Sequence, residues 1–128
     1  MNRHLVLISD TEFKEFLSGE ANYLVRFFKK KMDFLEKLSV GDLVYFKKMK
    51  GEVLGQFNVG KVVLVENLEV RDFQVLRQFS KGISREVFDK KLDENNTMVI
   101  VGIEKLEQFI TSPIDVPTRL RKEWSVLE

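Results

Sequence analysis

Cysteine is absent from the 128-residue chain, which excludes disulfides, zinc fingers and thiol nucleophiles. Histidine occurs once, as His4, so neither a histidine-rich metal site nor an ordinary Ser-His-Asp triad can be assembled. On a first strand that lone imidazole reads as a packed or solvated side chain. Proline occurs only twice, and the composition leaves no room for long disordered tails. No apolar run approaches transmembrane length and no signal-peptide pattern opens the chain, so the expectation is a cytoplasmic protein without a membrane partner. There is no P-loop, carboxylate pair or glycine-rich dinucleotide signature, and no metal or cofactor is expected. An excess of charge is also missing: 21 Lys or Arg against 20 Asp or Glu leave +1, which argues neither for nor against nucleic acid. What remains is one domain over residues 1–128, 44% apolar. A chain of this size buries roughly two-thirds of its unfolded surface.

The charge is uneven. Between Ala21 and Lys61 nine Lys or Arg face four Asp or Glu, a local excess of +5, whereas residues 65–115 sum to −3. Such asymmetry permits electrostatic steering. The stretch from Ser18 to Val65 holds three strand-like runs and most of the positive excess, and it is expected to build the surface that meets a partner.

In chain order, His4 to Ile8 is a short buried strand. Ser9 and Glu12 form a capping-box pair opening a short helix with Phe13, Phe16 and Leu17 on its apolar face, and Gly19 ends it. Asn22 to Phe28 is a second strand, with Tyr23, Val25 and Phe27 on one face and Leu24, Arg26 and Phe28 on the other. Met32 to Leu38 reads as one helical turn, Ser39 to Asp42 as a tight turn, and Leu43 to Phe46 as a strand. The basic loop Lys47 to Gly51 connects to a strand over Glu52 to Glu66. There Val53, Gly55, Phe57 and Val59 alternate, and Gly55 and Gly60 mark bends or bulges. Val70, Phe73, Leu76 and Phe79 define an amphipathic helix. A second starts at the N-cap Ser84, with Val87 and Leu92 extending its buried face. Thr97 to Ile103 is the most hydrophobic strand, and Leu106 to Ile110 continues or partners it. Pro113 and Pro117 fix an extended crossing segment before a short tail. Strand signals outnumber helix signals, and the glycine-broken, lysine-tipped strands fit a small mixed barrel with helices over one opening.

Several of these stretches carry a family resemblance. Ser18-Gly19-Glu20, followed by an alternating strand with Arg26, resembles the entry of ASCH domains. Val40-Gly41-Asp42-Leu43-Val44-Tyr45-Phe46, then a glycine-bearing strand into Val59-Gly60-Lys61-Val62-Val63, is similar to the core shared by ASCH, EVE and other PUA-like domains. Gly82 to Phe88 resembles the helix start that precedes their last central strand. The resemblance spans roughly Leu5 to Pro113. It implies an α+β fold, a small mixed, mainly antiparallel PUA-like pseudo-β-barrel of five or six strands flanked by about three helices, with RNA or a modified nucleotide as partner. Some ASCH proteins are amidohydrolases of acetylated cytidine, whose lysine and second threonine fall here on Ala21 and Leu24. Only Arg26 of that motif remains, and a methyl group cannot replace a lysine nucleophile or base.

The expected function is therefore a non-catalytic nucleic-acid-binding module with a basic, aromatic-lined cleft. The alternatives are an ASCH-type hydrolase of acylated nucleosides working with other residues, and a protein-interaction adaptor using the acidic helix pair 69–94. Arg26 would fork onto a phosphate or base edge, or else form a buried salt bridge with a carboxylate such as Asp42 or Glu66. Lys29, Lys30, Lys31, Lys47, Lys48 and Lys50 would make one basic rim, or only solvated strand ends. Of the interleaved aromatics, Tyr23 and Tyr45 are the picks for base stacking. Trp124, preceded by Arg119, Arg121 and Lys122, either plugs one end of the barrel or walls a base-binding cage. Asp42 reads as structural, holding the turn before its strand.

Overall fold

The computed structural model describes residues 1–111 and 122–127. Pro113, Pro117, Arg119 and Arg121 lie outside the described residues. The elements are β1 (Arg3–Leu7), α1 (Asp10–Ser18), β2 (Tyr23–Phe28), a 3-10 turn (Asp33–Lys37), β3 (Leu43–Lys47) and β4 (Val53–Val65). A second 3-10 turn (Val70–Asp72), α2 (Phe73–Phe79), α3 (Arg85–Glu94), β5 (Thr97–Gln108) and β6 (Trp124–Leu127) follow. The six strands form one curled sheet in the order β2-β5-β4-β3-β1-β6. β1 runs parallel to β3, and every other pairing is antiparallel. This is the α+β pseudo-barrel of five or six strands with about three helices that the sequence predicts.

Local chemistry sets the boundaries. Ser9 Oγ accepts from the Glu12 N–H at 3.1 Å while Glu12 Oε1 accepts from the Ser9 N–H at 3.1 Å, so two orphan donors of α1 are satisfied reciprocally. Ser84 caps α3 in the same way through the Val87 N–H at 3.2 Å. Such a cap is worth about 1 kcal/mol. The turn into β3 needs a left-handed residue, which Gly41 supplies at φ 94.

The sheet has two packed faces, as the continuous apolar run Val62 to Val65 requires. Inside the curl, Phe46, Phe57, Val99, Val101 and Trp124 pack with Phe16 of α1. On the other face Met98 and Ile100 meet Leu76 of α2 and Phe88 of α3. The alternation expected of β2 holds, with Tyr23, Val25 and Phe27 on the helix-covered face and Leu24 inside. The bulge expected at Gly60 is there: the β4–β5 register slips by one residue between Val59 and Lys61.

The structure settles one open reading and corrects two expectations. Of the two readings left open for Leu106 to Ile110, continuation holds and a partner strand does not, because Lys105 at φ 51 absorbs a second slip and β5 keeps pairing with β4 as far as Gln108. The last strand comes instead from the tail, where β6 pairs antiparallel with β1. Val87 does not extend the buried face of α3. It is 45% exposed, because Phe88 takes the inward position.

Candidate functional site

The curl does not close: the outer strands β2 and β6 share no ladder. Side chains bridge the gap instead, and Arg26 is the centre of the bridge. The residue is 6% exposed. It forks onto Glu12, with Nη1 donating to Oε2 at 2.6 Å and Nη2 to Oε1 at 3.0 Å. Nη1 also donates to the Val25 carbonyl and Nη2 to the Leu7 carbonyl, each at 2.8 Å. Nε lies 2.7 Å from Glu123 Oε1, just ahead of β6. That contact is an ion pair only: the N–H is out of line with the carboxylate, and Nε makes no hydrogen bond.

Above this bridge opens a cleft of about 610 Å³. Its walls are Ile8, Val25, Phe27, Met49, Ile83 and Val87, and its polar groups are Ser9, Glu12, Arg26, Lys91 and Glu123. Two cations against two carboxylates make it charge-balanced rather than basic, with one aromatic ring in the wall. A second cavity of about 540 Å³ lies on the far side of Glu123, backed by Phe28, Phe34 and Trp124 with Lys37 and Lys122 beside them. Glu123 thus stands on the ridge between the two.

The other candidate residues scatter. Lys47 is fully buried and Tyr45 sits at 7% exposure beside Phe109, so neither is on a rim. Both point to the sheet face that carries Leu5 and Val53, which is buried with Phe109 and Leu127 packed against it. Lys48 pairs with Asp10 at 2.6 Å, and that hydrogen bond holds the Asp10 carboxyl below the ordinary carboxylate range. Lys50 is exposed beside Met49, so the hairpin tip does flank the cleft. Lys29, Lys30 and Lys31 follow β2, whose end aligns through β5 with Val65, the opposite end of β4 from the Lys47 hairpin. The two lysine runs do not form one rim. Lys31 is held by Glu66 at 2.9 Å, a hydrogen bond that raises its pKa. Tyr23 packs edge-on against Phe79 at 5.2 Å and lines two smaller cavities, of about 280 and 260 Å³, away from the cleft. The carboxylate partners of Arg26 are Glu12 and Glu123, not Asp42 or Glu66.

Trp124 is a structural anchor. It is 3% exposed, stacks on Phe34 at 5.6 Å, and donates from Nε1 to His4 Nδ1 at 3.1 Å. Since indole nitrogen only donates, Nδ1 must accept, which leaves the proton on Nε2 to donate to Asp42 Oδ2 at 2.9 Å. Asp42 also accepts from the Asn2 and Ser39 N–H groups at 3.0 and 2.9 Å. Burial alone would raise its pKa, but the hydrogen bonds from His4, Asn2 and Ser39 together outweigh burial and lower it. The structural role read for Asp42 is therefore larger than a turn: it ties β1 and β6 to the start of β3.

Glu12 was visible in the sequence as a cap but not as a guanidinium partner, and the two roles use different lone pairs of one carboxylate. Glu123 and the wall residues Ile83 and Met49 carried no signal for the cleft, because each reaches it from a separate element.

The curled mixed sheet with two flanking helices on one face and α1 at the opening is a PUA-like pseudo-barrel. Its fold is similar to that of solved ASCH structures. A serine-to-alanine mutant of ZmASCH from Zymomonas mobilis superposes with a TM-score of 0.69 at 8% identity, covering 98% of this chain and 88% of that one. A tyrosine-to-phenylalanine mutant of the same protein gives 0.60 at 8% identity over 84% and 73%, and ASCH from the same organism 0.59 at 9% over 83% and 69%. No family model matches the sequence. No curated protein matches it either. At these identities the likeness defines the fold.

Proposed function

We propose that this chain binds single-stranded RNA, or a modified nucleotide, without catalysing its conversion, and that bases enter the two cavities that adjoin at Glu123. The observation that supports it is the pairing of an apolar-walled cleft with a hydrogen-bonding floor and a second, aromatic-backed cavity beyond one ridge residue. A volume of about 610 Å³ suits a nucleoside, within the roughly 300–1,000 Å³ of small-molecule sites. Phe27 offers a ring at the wall, and unstacked bases are read by such faces together with polar groups on their edges. Exposed Lys91 in the cleft lining and exposed Lys50, next in sequence to the lining residue Met49, would supply phosphate contacts. Hydrolysis of acylated nucleosides draws no support from Ala21, which packs on the core, or Leu24, which is buried in it.

The test is fluorescence anisotropy with labelled single-stranded RNA across a salt series. Binding should appear at about 50 mM salt and weaken with a log–log slope of about −1.4, the value for two phosphate contacts on a single strand. Val87→Glu, on an exposed wall position that tolerates the change, should abolish it. Absence of binding at low salt, or a Val87→Glu protein that binds like the parent, refutes the proposal.

A further inference from the structure

We infer that the base this cleft selects is guanine, read by Glu123, an inference that rests on the RNA-binding reading above. The starting point is the hydrogen-bonding capacity left in the floor. Arg26 has five N–H donors. Four are spent on Glu12, Val25 O and Leu7 O, so the guanidinium cannot fork onto a phosphate as its position in the sequence suggests. Glu12 is nearly spent as well: Oε1 accepts from both Arg26 and the Ser9 N–H, and Oε2 accepts from Arg26. Two groups are not. Among the described residues the Glu123 carboxylate accepts no hydrogen bond and is 51% exposed. Directly beside it the Nε–H of an arginine more than nine-tenths buried has no hydrogen-bond partner.

Glu123 is also held in place. Its carbonyl accepts from the Leu7 N–H at 2.9 Å, and the next residue is the anchored Trp124. A carboxylate with free lone pairs on an anchored backbone, next to one unpartnered donor, offers a donor, an acceptor and an acceptor. The Watson–Crick edge of guanine is its complement: O6 takes the Nε–H, while N1–H and the N2 amino group donate to the two carboxylate oxygens. Cytosine and adenine offer one amino donor beside a ring acceptor and match two of the three positions. Uracil matches two positions through O4 and N3–H, but its O2 carbonyl then turns toward the second carboxylate oxygen and is repelled.

The experiment uses labelled uridine oligomers carrying one central guanosine, inosine, cytidine, adenosine or uridine, with anisotropy as readout. Guanosine should bind tightest, and inosine, which lacks only the N2 amino group, about ten-fold or more weaker, the cost of one hydrogen bond to a charged acceptor. Glu123→Gln should collapse the guanosine-over-uridine ratio to about two-fold or less, since its amide turns one acceptor into a donor. Lys50→Ala should weaken all oligomers equally and keep the ratio. Trp124 emission and thermal melting verify that Glu123→Gln is folded. Equal binding of guanosine and uridine oligomers, or a ratio unchanged in folded Glu123→Gln, overturns the inference while leaving RNA binding intact. Failure of every oligomer to bind overturns both.

Discussion

Replacing Arg26 by alanine removes the cation that bridges the open side of the sheet. The side chain makes four hydrogen bonds, two to a carboxylate and two to carbonyls, and is 6% exposed. Removing one partner of a fully buried ion pair costs about 3–5 kcal/mol, mostly because the other charge is left without compensation. Here the figure must be discounted. The Glu12 and Glu123 side chains are 30% and 51% exposed, so both carboxylates regain water once the guanidinium is gone. The Leu7 carbonyl is the more expensive loss, because Leu7 is buried. About 2–4 kcal/mol remains, a large fraction of the roughly 5–15 kcal/mol available to a domain.

Urea titration followed through Trp124, the only tryptophan, reads this loss directly as a lower midpoint at constant slope. Arg26→Lys should recover little, since a single ammonium cannot hold Glu12, Leu7 O and Val25 O together. A double-mutant cycle with Glu12→Gln should give a coupling of about 1–3 kcal/mol. The cycle with Glu123→Gln should give well under about 1 kcal/mol, as expected for an unaligned, half-exposed pair. A cost below about 0.5 kcal/mol for Arg26→Ala, the scale of an ordinary surface change, or stronger coupling to Glu123 than to Glu12, refutes the bridge.

The lowered pKa of Asp42 makes stability fall in acid: its contribution is complete above the unfolded carboxylate value of about 3.9 and is lost as pH drops through the lower folded value. Asp42→Asn should flatten the urea-midpoint profile below about pH 4, and an unchanged profile would deny Asp42 that role. Gly55→Ala should cost about 1–3 kcal/mol, because a Cβ there meets the Glu107 carbonyl and the Phe46 ring. Gly82→Ala, which has open space, should be neutral or slightly stabilising in the same calorimetric scan. Lys47 is fully buried and its Nζ has no hydrogen bond among the described residues, so Lys47→Met should leave the thermal midpoint unchanged or raise it. A drop equivalent to more than about 1 kcal/mol would mean the ammonium has a partner that matters.

Local rules made most elements legible. Ser9 with Glu12, Ser84, and Gly60 act through bonds within a few residues, and the structure uses each as read. The alternation in β2 also held, since a strand's side chains can only take two faces. What escaped was fixed by the curl. Tyr45 and Lys47 alternate as a wet edge would, yet the face they share with Leu5 and Val53 is covered. Lys105 gives no glycine-like warning of a left-handed bend, so the sequence left open whether β5 was one strand or two. For the site, Arg26 was visible only through the family resemblance, and its partners Glu12 and Glu123 sit 14 residues before it and 97 after it in the numbering. No spacing rule links such positions.

The gap in the sheet explains why stability and the proposed recognition converge on the same few atoms. A closed barrel satisfies its edge strands by backbone pairing and leaves no opening in the wall. This sheet stops short, and one arginine at the seam ties β2 to Glu12 of α1 and the Leu7 carbonyl of β1, spending four of its five donors in doing so. A cleft then forms at the seam because side chains bridge it less completely than a ladder would. On the proposed reading, recognition falls to whichever seam residue still has unspent lone pairs. Among the described residues that is Glu123, whose backbone is held by the Leu7 pairing on one side and the Trp124–His4–Asp42 chain on the other, so the fold sets where its carboxylate stands.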